Sequence, residues 1–224
     1  MLIILEIIAG IVVSYIVITT IIDICLMGRL DIRLSLQGNG NGYIIRRKNK
    51  IDIQTGYQCS AFSVAYLLRH YGILASGEEI YPDMPDKMKD GCVYPKGLCR
   101  TLLSYGFEVR YCSGNLKALQ QEICKGNPVI VMIRVRKDRN WLHYVPVVGF
   151  NDKYVFIAES LAELINCDSE FYNRRVEKKE FLQLWNTAML RQPLYRNTFI
   201  VVNNKEKMKD VIYNNGHPKC SVYD

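Results

Sequence analysis

The feature that most constrains this chain is an uncharged, apolar run near its N-terminus. From Ile7 to Ile22 the sequence carries no charged residue and consists mainly of Ile and Val. With its apolar flanks the run exceeds the roughly 20 residues that a helix needs to cross a bilayer. Glu6 and Asp23 lie near its ends, where carboxylates reach the interface. We therefore predict a transmembrane helix over residues 1–27.

The charges around this run predict how the helix is oriented. A cleaved secretory signal is the alternative, but no basic residue precedes the run and no small-residue cleavage motif follows it. The basic residues all follow the helix, at Arg29, Arg33, Arg46, Arg47, Lys48 and Lys50. Because such charges favour the cytoplasm, we expect a single-pass membrane protein whose remaining residues lie on the cytoplasmic side.

The composition of the chain indicates a globular domain and argues against a nucleic-acid partner and a structural zinc site. An apolar fraction of 49% with 23% charged residues is ordinary for a packed fold. The net charge of +7 is spread along the chain, apart from the cluster between Arg46 and Lys50, which we interpret as a solvated segment beside the membrane. Eight cysteines without Cys-x-x-Cys spacing and only three histidines do not indicate a structural zinc site. We predict no nucleic-acid partner, no metal and no organic cofactor.

The order of the predicted elements indicates the fold class. A Gly-rich segment over residues 37–42 ends a predicted linker, residues 28–42. Helices are predicted over 59–71, 96–105, 116–124 and 179–185, and strands over 108–112, 129–135, 144–150, 154–158 and 199–202. Helices thus come mostly first and strands later, which predicts an α+β domain with an antiparallel sheet. We assign the domain to residues 43–205 and a C-terminal tail to residues 206–224.

Cys59 is the candidate nucleophile because it begins the best-defined helix. Unpaired N–H groups at a helix start stabilise a thiolate, and a nearby histidine completes the activation. His70 lies eleven residues along the same helix, about 16 Å away at 1.5 Å per residue. His217 lies in a polar stretch close to the C-terminus, where a loose tail is expected. This leaves His143, at the mouth of a predicted strand, as the general base.

Two residues that follow the next strand are candidates to orient the imidazole of His143. If the hairpin has a three-residue loop, His143 faces Glu159, whereas a two-residue turn places Ser160 there. We favour Glu159 because a carboxylate stabilises an imidazolium better than a hydroxyl does.

Acyl transfer also needs a hydrogen-bond donor for the oxyanion. Gln54, on the segment that leads into the helix, is the preferred donor. Gln58 is the alternative, although its position directly before Cys59 favours a contribution from its backbone.

Three blocks of the sequence resemble cysteine peptidase family thirty-nine, the bacteriocin-processing peptidases and their stand-alone relatives. They are Gln54-Thr-Gly-Tyr-Gln-Cys-Ser-Ala-Phe-Ser, Leu68-Arg-His-Tyr-Gly and His143-Tyr-Val-Pro-Val-Val-Gly-Phe-Asn-Asp. The resemblance covers about residues 50–202. It implies a papain-like fold, a peptide substrate, and Gln54, Cys59, His143 and Glu159 as oxyanion donor, nucleophile, base and orienting acid.

The best-known members of that family cut leader peptides after a double glycine and are fused to a transporter. The present sequence has no Gly-x-x-x-x-Gly-Lys-Ser/Thr phosphate-binding motif. The leading hypothesis is therefore a membrane-anchored cysteine peptidase, with leader-peptide processing as a family expectation. The alternatives are an inactive, membrane-tethered peptide-binding module of the same fold, and an extracytoplasmic cell-wall amidase or transpeptidase.

Overall fold

The N-terminal segment forms one long helix whose apolar side chains are uncovered. The structure, a computed structural model, describes residues 2–36, 40, 42–189 and 195–203. Helix α1 spans Leu2–Met27, and within the described residues it is the one helix long and apolar enough to cross a membrane. Ile3, Ile11 and Ile18 are each more than half exposed. Because exposing apolar surface to water costs about 25 cal/mol per Å², these side chains favour an apolar environment over water.

One sheet forms the centre of the domain. Its eight described strands are β1 (Asp31–Arg33), β2 (Gly42–Ile44), β3 (Glu108–Gly114), β4 (Val129–Arg136), β5 (Arg139–Asn151), β6 (Tyr154–Ile157), β7 (Arg174–Glu177) and β8 (Thr198–Asn203). The strand order is β1-β3-β8-β4-β5-β6-β7, and β2 pairs with β5. All pairs are antiparallel except β1 with β3. The predicted α+β class is confirmed, but the sheet is mixed because an unpredicted strand joins its edge in parallel.

Five helices follow α1 among the described residues. They are α2 (Cys59–His70), α3 (Gly77–Ile80), α4 (Pro95–Ser104), α5 (Leu116–Ile123) and α6 (Lys178–Trp185), and two short 3-10 turns span Tyr81–Asp83 and Ala162–Leu164. The four predicted helices each lie within one residue of these bounds. The elements that the sequence does not predict, β1, β2, β7 and α3, have only three or four residues, too few for a hydrophobic period to show.

Helices pack on both faces of the sheet, so the sheet divides the main core into two halves. Helices α2 and α4 pack on one face around Leu68 and Leu98, and α5 and α6 pack on the other around Leu119. Alternate residues of β4 pack into the two halves of the core: Ile130 faces α2 and α4, whereas Val131 faces α5 and α6. From Val129 to Ile133, strand β4 is therefore buried on both sides, which explains its unbroken apolar sequence there.

The end of α1 is fixed onto the domain. Met27 is buried in the core beside α4, and the Lys96 ammonium donates to the Cys25 carbonyl at 3.1 Å. The Tyr195 hydroxyl donates to the Gly28 carbonyl at 2.9 Å. The predicted linker, residues 28–42, thus contributes β1 to the sheet and is not a free connection over its first part. Residues 37–39 and 41 of that segment, and the predicted tail over residues 206–224, lie outside the described residues.

We expect Gly114→Ala to detach β1 from the sheet. A Cβ at Gly114 would lie 2.1 Å from the Arg33 carbonyl oxygen, which forces the paired backbones apart. The free energy of unfolding should fall by about 1–3 kcal/mol, and the amides of residues 31–33 should exchange faster with deuterium. The matched control is Gly10→Ala, where a Cβ would have nothing within 4 Å. Unchanged exchange at residues 31–33 would contradict this account of the sheet edge.

Candidate active site

Cys59 is the first residue of α2, as the sequence predicts, and its thiol is partly exposed. The helix behind it is held firmly because Ser60 to Leu68 are all buried. One turn into the helix, the Ser63 hydroxyl donates to the Tyr144 carbonyl at 3.0 Å. This bond fixes the start of α2 against β5, directly beside His143.

His143 lies inside β5, not at its mouth as predicted. The strand begins four residues earlier, at Arg139, and His143 pairs with Ile133 of β4. Its side chain is 2% exposed. The backbone of His143 is therefore held by its pairing with β4, and the imidazole ring is held by the atoms packed around it.

Glu159 is fully buried and both of its carboxylate oxygens are occupied. The His143 Nε2 and the Leu161 backbone N–H donate to Oε1 at 2.7 and 2.8 Å. The Arg174 guanidinium donates to Oε2 at 2.7 Å. Asn173 fixes the backbone of Glu159 twice, accepting from its N–H at 2.7 Å and donating to its carbonyl at 2.9 Å. A buried charge is stable only when paired and hydrogen-bonded in this way.

Glu159 contacts His143, but the strand register differs from the one that the hairpin prediction assumed. The ladder between β5 and β6 pairs Val147 with Ile157 and Phe150 with Val155, with an irregularity in between. Neither proposed loop length gives this register, so the predicted strand pairing is wrong. Strand β6 has already ended when the chain reaches Glu159, and the following loop carries the carboxylate back to the imidazole.

The ionisation of the pair follows from its partners. Burial by itself would raise the pKa of Glu159, but the charges of His143 and Arg174 and the Leu161 N–H lower it to about 2. Burial would lower the pKa of His143, but the charge of Glu159 and hydrogen bonds to Cys59 and Glu159 raise it to about 10. Because Nε2 is bonded to Glu159, Nδ1 is the ring nitrogen left for Cys59. At neutral pH, Cys59 therefore faces an imidazolium.

Gln54 and Ser160 are paired with each other beside this chain. The Ser160 hydroxyl donates to the Gln54 side-chain carbonyl at 2.6 Å, and the Gln54 backbone N–H donates to the Ser160 carbonyl at 2.9 Å. The Gln54 amide nitrogen donates to the Gly56 carbonyl at 2.7 Å. Since an amide nitrogen carries two hydrogens, a second one is left for a ligand. Ser160 is therefore hydrogen-bonded to Gln54, whereas Glu159 is the residue bonded to His143.

Of the two candidate oxyanion donors, only Gln54 lines the cleft at Cys59. The side-chain oxygen of Gln58 is buried, with no hydrogen-bond partner among the described residues. Gln58 contributes through its backbone, since its carbonyl accepts the first bonds of α2, from Ala61 and Phe62.

A cleft of about 940 Å³ opens over Cys59, Gln54 and His143. Its other walls come from distant parts of the chain. They are Met27 at the end of α1, Asp90 and Cys92 before α4, Arg136, Arg139 and Trp141 of the β4–β5 hairpin, and Leu161, Glu163 and Leu164 after β6. The cleft therefore offers an apolar surface with charges of both signs, large enough for several residues of an extended peptide.

The aromatic residues between Leu161 and Gln192 do not shape this cleft. Trp185 is fully buried between Phe181 and Phe199, on the opposite face of the sheet from Cys59. Tyr172 stacks on Phe156, with ring centroids 4.4 Å apart. Packing explains both.

Sequence reasoning missed Arg174 and Asn173, which hold the carboxylate. Arg174 bonds a residue 15 positions away, and nothing in its local sequence distinguishes it from other basic residues. A buried carboxylate does, however, require a cationic partner. That requirement would have directed a search to the charged residues after β6, once the burial of Glu159 was known.

The fold and this arrangement of Cys, His, acid and Gln define a papain-like cysteine peptidase domain. A sequence model of the Peptidase_C39 like family matches residues 40–190. The chain belongs to this family, which confirms the resemblance found in the sequence. No curated protein matches the chain.

Solved structures support the fold. A C39-like peptidase from Bacillus anthracis has a TM-score of 0.55 at 16% identity, covering 73% of this chain and 98% of the other. The peptidase domain of Streptococcus ComA, a bi-functional ABC transporter, has a TM-score of 0.51 at 18% identity, covering 70% and 99%. A cysteine protease of Carica candamarcensis has a TM-score of 0.52 at 14% identity, covering 73% and 98%. At these identities the likeness shows a shared fold.

The His143–Glu159 pair predicts a pH dependence of stability. Between pH 6.5 and about 10 the folded state keeps a proton on His143 that the unfolded chain has lost, so the free energy of unfolding should fall as the pH rises. For one proton the slope reaches at most about 1.4 kcal/mol per pH unit. Urea unfolding at a series of pH values measures it.

The matched variants are His143→Gln, which should lose this slope, and Glu163→Gln, which removes another cleft carboxylate and should keep it. If the free energy of unfolding changes with pH in the same way for the wild type and His143→Gln, the ion pair does not couple protonation to folding.

Proposed function

We propose that this protein is a membrane-anchored cysteine peptidase. The observation that carries the proposal is the buried chain from Arg174 through Glu159 to His143, which holds an imidazolium beside a cysteine at a helix start, in an open cleft. A packing role alone would not require a buried, fully paired carboxylate next to a cleft. Membership of a peptidase family supports the same conclusion.

In the proposed reaction, the Cys59 thiolate attacks the carbonyl carbon of a peptide bond. The side-chain N–H of Gln54 and the free backbone N–H groups at the start of α2 stabilise the negative charge on the carbonyl oxygen. His143 then donates its proton to the leaving amine, and a thioester remains on Cys59. Water attacks the thioester, and His143 takes a proton from that water. Release of the carboxylic acid product then regenerates the Cys59 thiolate.

Glu159 acts through His143. It holds the ring in place through Nε2 so that Nδ1 faces the thiol, and it stabilises the positive imidazolium. Arg174 keeps the carboxylate ionised and stationary.

Helix α1 supports the proposed anchoring, and the basic residues that follow it support a cytoplasmic position for the domain. The substrate in this proposal is a peptide or protein, and leader-peptide processing is the activity that the family relationship favours. The proposed chemistry uses only side-chain and backbone groups of the chain and water.

The first expected outcome concerns selective alkylation of the full-length chain in detergent by limiting iodoacetamide. Cys59 should be modified before the other cysteines, because the imidazolium beside it stabilises the thiolate. Cys92 is an internal control in the same cleft: burial, with the nearby charges of Asp90 and Cys59, raises its pKa to about 11, so it should stay unmodified. Mass spectrometry of peptides across pH locates the label.

His143→Ala should remove the preference for Cys59. If Cys59 in the wild type reacts no faster than Cys92, the catalytic proposal fails and a peptide-binding module of the same fold becomes the better description.

The second expected outcome separates the two glutamines. Gln54→Ala should lower kcat by about 10²–10³-fold, because it removes an oxyanion donor from the cleft. Gln58→Ala should leave kcat nearly unchanged, since its side chain does not line the cleft. Cleavage of a fluorogenic peptide library by the purified full-length chain is the measurement. Equal losses in both variants would remove Gln54 from the mechanism.

A further inference from the structure

Three large apolar side chains directly after α1 are almost fully exposed. Ile32, Leu34 and Leu36 are 80%, 73% and 93% exposed, and we name them the apolar strip. They occupy alternate positions in and after β1, so they lie along one side of an extended segment. Asp31, Arg33 and Ser35, which alternate with them, are partly or fully buried. The segment is thus amphipathic in the inverted sense, with its apolar side facing outward.

The register of β1 shows on which face of the sheet the apolar strip begins. Arg33 forms an ion pair with Glu122 of α5, with 3.7 Å between the charged atoms, and therefore points to the α5 face. Ile32 pairs with Ser113 of β3 and points to the other face, where Met27 packs beside α4. The apolar strip consequently starts on the same side of the sheet as the end of α1.

The length of α1 places this side of the domain at the level of the lipid headgroups. The apolar span Ile3–Ile22 contains 20 residues, about 30 Å of helix, which equals the hydrocarbon thickness of a bilayer. From Ile22 to Met27 the helix rises by about 7 Å more, roughly the depth of the headgroup layer on one side. Met27 already belongs to the domain core. Ile32 follows within at most about 17 Å of extended chain.

Basic side chains flank the apolar strip. Arg29 is exposed between α1 and β1. Lys117 donates to the Leu36 carbonyl at 3.0 Å, and Lys96 donates to the Cys25 carbonyl at 3.1 Å. Apolar side chains with Lys and Arg nearby are the combination that binds the boundary between acyl chains and anionic headgroups.

We propose that the apolar strip docks the domain onto the membrane surface, with Ile32, Leu34 and Leu36 in the headgroup–acyl boundary of an anionic bilayer. This inference rests on the proposed membrane position of α1. Docking at a second point fixes how the domain is oriented, since one helix alone allows rotation and tilt. Because Met27 also forms part of the cleft wall, the cleft then lies close to the headgroups and receives peptide bonds near the membrane surface.

The test uses the full-length Leu34→Trp variant reconstituted into vesicles of phosphatidylcholine and phosphatidylserine, with or without bromine on the acyl chains. Brominated lipid should quench the added tryptophan by at least about half, after subtraction of the wild-type emission of Trp141 and Trp185. The matched control is Leu74→Trp, at a site that is 96% exposed. Leu74 follows Tyr71, which packs on Phe107 before the start of β3, whereas β1 pairs with the other end of that strand. The control should not be quenched.

Three outcomes overturn the docking proposal. If Leu34→Trp floats with the vesicles but is not quenched, the apolar strip does not enter lipid. A blue-shifted emission without quenching would mean that protein, such as a second copy of the chain, covers the strip. Quenching of both variants would show non-specific adsorption. Failure of the wild-type chain to float would overturn the anchoring by α1 as well, whereas alkylation of Cys59 tests the catalytic proposal independently.

Discussion

The buried carboxylate of Glu159 is the interaction on which the site depends. A carboxylate with no solvent contact is tolerated only if every oxygen has a partner, and here those partners come from β5, β7 and the loop after β6. Meeting this requirement fixes the position of His143, the first residue of β7 and the path of the chain beyond Ile157. The same contacts that make burial of the charge possible also keep the imidazole protonated beside Cys59. Stability and proposed chemistry therefore depend on the same few atoms.

The sheet transmits this constraint to the nucleophile. His143 belongs to a strand that is paired on one side with β4, and its neighbour Tyr144 receives the hydrogen bond that holds the first turn of α2. Cys59 and His143 are 84 positions apart in the sequence, yet the hydrogen bond from Ser63 to Tyr144 joins their two elements. Gln54 is fixed in a similar way, by Ser160, the residue directly after Glu159. All four predicted residues thus meet around one loop.

Patterns that are local in sequence predicted much of the fold. The four predicted helices and the five predicted strands all occur, since each carries a hydrophobic period long enough to read. The short elements β1 and β7 were missed because three or four residues carry no such period. Their formation depends on a neighbouring strand, and for β7 also on the pairing of Arg174 with Glu159. The hairpin between β5 and β6 shows the same limit: the residue that contacts His143 was named, but the register behind it was wrong because a ladder irregularity cannot be read from turn length.

The sequence by itself determined the apolar helix, the order of elements and the start of α2 at Cys59, and it favoured His143 over two other histidines. Each of these depends on residue type and spacing along one segment. The tertiary structure alone decided that Arg174 and Asn173 secure Glu159, that Ser160 supports Gln54, and that Met27 at the end of the apolar helix forms part of the cleft wall. These contacts join residues that are far apart in the chain or belong to different elements. Removing charges and polar groups from water costs free energy that only their mutual hydrogen bonds and ion pairs offset, and a linear sequence does not show which groups are buried with which.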